Sequence, residues 1–328
     1  MKRSIPSCPD CETVDRRDFL KAMGGIALGG VASSTLWSLP GAYAAPSPSS
    51  TAETAVGRFY ATLSDEQKKG ICFAFSDPLR QRVNANWHIT KPTVGSDFYS
   101  ADQKKLINEI VQNVTSPDGY DRLKKQMEFD AGGIEDYSVA IFGEPGKSAF
   151  EWELTGRHLT LRADGNSVDR VAFGGPIVYG HGEENPKENL FRYQTEQVNE
   201  VFRALDAKQS QIALIGGKPP QENAVNLQGQ AGKFPGIGVS ELSADQKGLV
   251  EKTLKVLLAP YRKEDADEAM EILKSMGGVD KLHMAFYQQD DLLNDKVWDI
   301  WRIEGPSFVW HFRGAPHVHA YINIGVIG

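Results

Sequence analysis

The chain has 328 residues, with 36 Lys and Arg against 43 Asp and Glu, a formal net charge of −7. That balance, with no basic run interleaved with aromatics, speaks against nucleic acid or an anionic membrane as a partner. Its 3 cysteines cannot staple a fold of this size, so stability must come from a hydrophobic core, for which the length is ample.

Residues 1–44 read as a twin-arginine signal peptide. Asp15-Arg16-Arg17-Asp18-Phe19-Leu20-Lys21 carries the paired arginines, the spacer and the Phe-Leu-Lys of that motif, with Asp15 where Ser or Thr is usual. An apolar stretch from Ala22 to Leu39 leads to Ala42-Tyr43-Ala44, a small-residue site suited to signal peptidase. Gly24, Gly25, Gly29, Gly30, Ser33, Ser34 and Thr35 dilute that stretch, whereas a lasting span wants about 20 predominantly apolar residues. The expected partner is the twin-arginine export machinery, and the expected location is periplasmic or secreted, with no membrane association after cleavage. Cys8 and Cys11 lie upstream of the arginines and leave with the signal; Cys72, inside Ile71-Cys72-Phe73-Ala74-Phe75, reads as a small buried residue.

Residues 45–55 read as a linker, polar and rich in Pro and Ser. Three helix starts then share one pattern, at Ser64-Asp65-Glu66-Gln67, Ser100-Ala101-Asp102-Gln103 and Ser243-Ala244-Asp245-Gln246. Each is a capping box, with the Ser hydroxyl taking an orphan N–H and the Gln reaching back. A further helix is predicted from Tyr193 to Leu214, with Val198, Val201, Phe202 and Leu205 on one face, and another from Ala266 to Met276. Alternating apolar and polar residues predict strands at Tyr137–Phe142, Phe150–Leu154, His158–Arg162 and Val168–Phe173. A second set is predicted at Leu282–Tyr287, Val297–Ile303, Ser307–Phe312 and Val318–Ile324.

The two strand sets align. Glu151-Trp-Glu-Leu-Thr-Gly156 followed by Leu159-Thr-Leu-Arg162 mirrors Asp299-Ile-Trp-Arg-Ile-Glu-Gly305 followed by Phe308-Val-Trp-His311, and each set follows a capping-box helix. The expected fold is α+β, with two related halves, each made of helices plus a small antiparallel sheet, and a shared polar cleft. The first half would cover residues 56–215, a Gly-rich connector 216–236, and the second half 237–328.

No P-loop, G-x-G-x-x-G, G-x-S-x-G or H-E-x-x-H occurs after the signal, so attention falls on histidines. His317 and His319 stand at i and i+2, so on a strand they would present imidazoles to one side and to one ion. His311, on the preceding strand, shares parity with Arg313 and falls opposite the Phe308-Trp310-Phe312 core face, with Arg302 and Glu304 on the same polar face. In the first hairpin, Trp152 and Leu154 take the core, leaving Glu151, Glu153 and His158 for the polar side. Gly174-Gly175-Pro176 opens a loop ending in His181, and Arg80 and Arg82 form a pair suited to an anionic group.

The Trp152 strand, Gly156-Arg157-His158-Leu159, Gly175-Pro176, Arg302-Ile303-Glu304-Gly305-Pro306 and His317-Val318-His319 together resemble a family of exported bacterial proteins, domain-of-unknown-function family 3500. The resemblance runs from about residue 55 to 328. That family often has two histidines in the first motif, where Arg157 stands here, and Trp, Arg and Asp in the tail occupied here by Ala320-Tyr321-Ile322-Asn323. It implies no reaction, but it groups His158, Arg302, His317 and His319.

The expectation is a metal-dependent enzyme of the cell envelope, with hydrolysis as its reaction class. His317 and His319, with His158 or His311, would hold zinc, copper or iron. Glu153 or Glu304 would act as general base, and Arg302 would anchor a small anionic ligand. A non-catalytic binding protein for a small ligand or a metal ion would use the same cleft.

Overall fold

The structure is a computed structural model and describes residues 45–327; the export motif and Cys8 and Cys11 lie outside the described residues. The helices begin as their chemistry dictates. Helix α1, Thr51–Thr62, is followed by α2, Asp65–Ile71, which opens on the Ser64/Gln67 capping box and runs into strand β1, Cys72–Phe73. The stretch expected as linker therefore already holds the first turn of α1. Helices α3, Ala101–Asn113, and α4, Pro117–Ala131, come next; α3 starts on the Ser100/Gln103 box, and α4 ends on the left-handed Gly132. Strands β2, Ser138–Gly143, β3, Phe150–Gly156, β4, Leu159–Ala163, and β5, Ile177–His181, complete this run.

A second run repeats that order. Helices α5, Arg192–Arg203, and α6, Ala207–Ala213, lead into β6, Leu214–Ile215. The single helix predicted from Tyr193 to Leu214 is thus two, because the Asp206 carboxylate accepts the backbone N–H groups of Lys208 and Gln209 and starts a new one. After β7, Ile237–Gly238, come α7, Ala244–Leu258, on the Ser243/Gln246 box, and α8, Lys263–Ser275. Strands β8, His283–Tyr287, β9, Ile300–Gly305, β10, Phe308–Arg313, and β11, Val318–Ile324, follow.

The fold is α+β, with eight helices among the described residues and one mixed 11-stranded sheet. Its order is β1-β2-β3-β4-β5-β11-β10-β9-β8-β6, with β7 also paired to β8. Only the outer pairs β1–β2 and β6–β8 are parallel; the centre is the antiparallel join of β5 to β11. One predicted strand is absent. Residues 168–173 form a turn and a short 3₁₀ segment, since Arg170 and Phe173 sit in the left-handed region and Gly174 and Gly175 follow at positive φ. The fourth strand of the first run is β5 instead.

One face of the sheet carries the helices. Trp152, Leu154, Trp301, Ile303, Trp310 and Phe312 point there and pack against helix residues such as Ile107, Ile110, Val198 and Leu254. The three tryptophans are fully buried, and truncating any one to Ala would cost roughly 3–5 kcal/mol. The opposite face carries the alternate residues and is roofed by loops rather than left open. Residues 74–94 are pinned there, with Trp87 Nε1 donating to Thr160 Oγ1 (3.0 Å) and the Ile89 N–H to Thr155 Oγ1 (2.9 Å). The 216–236 stretch is held by Arg302, which donates to the Ala224 carbonyl at 2.7 Å, and by Asn323, which donates to Val225 at 2.9 Å. No helix among the described residues is long and apolar enough to cross a membrane.

Candidate metal centre

The loop-covered face carries three separate polar groups. The first sits on β3 and β4, where Glu153 faces Arg162 in register. Arg162 Nη1 donates to Glu153 (2.7 Å) and to Glu151, while its Nε donates to the Pro176 carbonyl (2.8 Å) and its Nη2 to that of Arg82 (3.1 Å). Arg80 donates to Glu151 at 2.9 Å and lies over the Phe75 ring, so it is committed within this group rather than held out for an anion. Burial raises the Glu153 carboxyl well above its ordinary pKa, with Arg162 opposing and Glu151 adding to the rise.

The second group sits on β9 and β10, where Arg302 faces His311. Arg302 donates to Glu304 at 2.6 and 3.1 Å, and Gln228 donates to the same carboxylate at 2.9 Å. Burial, with Arg302 nearby, pushes the His311 imidazole down to about 3.

The third group gathers His158, His317 and His319. One ring nitrogen of each can be chosen so that all lie within 4.8 Å of one another, and all three residues are buried. His319 is on β11, and His317 immediately precedes that strand; their Nε2 atoms stand 3.0 Å apart. His158 reaches them from the β3–β4 turn, in the left-handed region at φ 57°. It can do so because Gly180 lies beneath: a Cβ there would meet the Val318 carbonyl at 2.3 Å and the His158 Cβ at 3.1 Å. The imidazole rings sit 4.8–5.0 Å apart, centroid to centroid.

Two of these imidazoles are oriented from behind. His158 Nδ1 meets Asp130 Oδ2 at 2.8 Å, and Asp130 Oδ1 accepts the Gly182 N–H at 2.8 Å. His319 Nδ1 meets both Glu222 oxygens, at 3.0 and 3.1 Å. A carboxylate on Nδ1 fixes the tautomer and turns the Nε2 lone pair toward the shared space, which is how metal-binding histidines are commonly held. Burial would raise the Asp130 carboxyl, but its hydrogen bond to His158, that residue's charge and the Gly182 N–H prevail and hold it below its usual value. Burial, then His319 and His158, lowers His317 to about 3, and burial with Arg313 lowers His319 well below its ordinary value. Both rings are therefore neutral at neutral pH, with lone pairs available to a cation.

The expected site residues thus divide. His158, His317 and His319 come together; His311 does not join them, being paired in register with Tyr321 while Arg313 is paired with His319. Glu153, Glu304 and Arg302 belong to the other two groups. His181 accepts the Leu190 N–H at 3.2 Å and packs on Phe129, and His88 is exposed. Asp130 and Glu222 escaped the sequence reading because nothing local marks two carboxylates among 43. A cavity of about 40 Å³ on the helix face, between Leu123, Leu159, Ile177 and Tyr261, includes none of the histidines.

The family model described as protein of unknown function (DUF3500) matches residues 46–322. The chain belongs to that family. It is also similar to the major capsid protein L1 of canine oral papillomavirus (strain Y62), 26% identical over 148 residues, which is 44% of this chain and 28% of that protein. The chain thus spans little more than a quarter of that relative's length. No solved structure matches the chain significantly.

Proposed function

We propose that the chain is an exported metalloprotein whose ion is held by His158, His317 and His319, and that it is a metal-dependent enzyme of hydrolytic type. The observation that carries this reading is the convergence of three imidazole nitrogens, two of them on rings backed by carboxylates. Imidazole ligands suit zinc, copper and iron. Three protein ligands leave a coordination position for water, whose pKa a bound divalent ion lowers toward neutrality. The base and anchor roles expected of Glu153, Glu304 and Arg302 are not carried into this reading, because those side chains are tied to one another or to Arg162. The near-complete burial of the three histidines favours a second reading, a closed binding site that carries or senses the ion without turnover.

Export through the twin-arginine route is part of the proposal and rests on Arg16-Arg17 and the A-x-A site that follows. So is the relation between the two runs of elements. It is supported by a repeated contact: Gln67 and Gln103 exchange side-chain amide hydrogen bonds at 2.9 Å each way, and Gln209 and Gln246 do the same at 3.2 and 2.8 Å. On this reading α5 and α6 open the second half.

Elemental analysis of the mature protein, purified from its native export route, tests the proposal. Close to one equivalent of zinc, copper or iron is expected in the wild type, and its loss is expected in the His317→Ala/His319→Ala double variant. No bound metal in the wild type, and no affinity when zinc or copper is titrated in, would overturn the reading.

A further inference from the structure

Resting on the three-histidine reading, we infer that the centre takes an oxyanion, a carboxylate or phosphoryl group bound at the metal in the field of Arg157 and Arg313. Imidazole ligands are neutral when they coordinate. Two carboxylates, Asp130 and Glu222, and two guanidiniums, Arg157 and Arg313, stand about the three rings, so their charges cancel in sum and that of a divalent ion would stay uncompensated in a buried site. An uncompensated buried charge is expensive, and an anionic ligand relieves it.

Arg313 stands in register with His319 across β10 and β11, and its Nε lies 3.2 Å from Glu222 Oε2. Arg157 flanks the other side. Its Nη2 lies 3.6 Å from the point where a Gly182 side chain would begin, and His158 Cε1 lies 3.3 Å from that same point. Its buried Nε has no hydrogen-bond partner.

The three histidines and Asp130 are buried, whereas Arg157, Glu222 and Arg313 are half-buried. An anion therefore approaches past the guanidiniums. Glu222, between the exposed Gln221 and Asn223, stands beside Arg313 on this side.

Cobalt(II) reports both steps, because its visible absorption follows coordination. Titration of the cobalt-loaded protein with inorganic phosphate, and separately with acetate, is expected to give a saturable spectral change with at least one. Phosphate alone would mark a phosphoryl ligand, and acetate alone a carboxylate. Arg313→Gln and Arg157→Gln should each bind one equivalent of cobalt yet weaken the anion on the order of tenfold, as for loss of a charged hydrogen-bonding partner. Cobalt binding with no response to either anion, or unchanged anion affinity in both arginine variants, would overturn the inference and leave the metal site standing. No cobalt binding at all would overturn both.

Discussion

The β3–β4 and β9–β10 hairpins have the same register and opposite electrostatic solutions. Both put a tryptophan on the helix face and a polar cross-strand pair under the loops, Glu153 with Arg162 in one and Arg302 with His311 in the other. The first pair is complementary, so Arg162 closes a network that also takes in Glu151 and two loop carbonyls. The second pair is not complementary. Arg302 turns along its own strand to Glu304 and leaves its Nη1, like His311 Nδ1, without a partner. Position in a sheet thus sets which side chains meet, while the chemistry of the pair decides whether the meeting stabilises the fold.

Arg162→Met should be the most damaging change, because it leaves two carboxylates buried beside each other. A loss of about 3–5 kcal/mol is expected in urea unfolding, the range for removing one partner of a buried ion pair. Arg302→Met should cost less, about 1.5–3 kcal/mol, since Gln228 still donates to Glu304. Equal losses for the two variants would break the comparison.

The pH dependence of stability should separate the hairpins as well. With the Glu153 pKa raised in the folded state, the folded chain holds a proton that the unfolded chain releases above the ordinary glutamate value of 4.5. Stability from this group is present below that pH and is lost as pH rises. His311 works in the other direction. Its pKa is lowered to about 3, so the unfolded chain takes up a proton first, and stability falls as pH drops from 6.5 toward 3. In Tm measured against pH, Glu153→Gln should flatten the alkaline decline and His311→Leu the acid one; a variant that moves the opposite limb would contradict the assignment.

The smallest effect should be that of His311→Leu at neutral pH. It removes a buried polar atom that has no partner, so its stability should change by less than about 1 kcal/mol.

The parts of this molecule written in short-range chemistry were legible in the sequence. Capping boxes at Ser64, Ser100 and Ser243 mark helix starts because every group involved lies within four residues. Alternation likewise places Glu153 and Arg302 opposite their tryptophans, and i, i+2 spacing brings His317 to His319. What could not be read was set by contacts across the chain. Asp130 comes to His158 from 28 residues away, and Glu222 to His319 from 97. Parity put His311 on the correct face, yet only the register shows it facing Tyr321. Residues 168–173 misled because their apolar pattern suits a strand, while the left-handed Arg170 and Phe173 bend the backbone away.

The position of β11 has a consequence for how the molecule assembles. It is the last strand of the described chain and lies mid-sheet, between β5 and β10, so the five strands from β1 to β5 have no ladder to the others until it is inserted. Such late, long-range pairing is slow and leaves two unfinished edges exposed meanwhile. Because His319 lies on β11 and His317 just before it, closing the sheet and bringing the histidines together are one event. An ion that binds the three histidines would therefore act as a clasp, favouring the finished sheet over its two open parts.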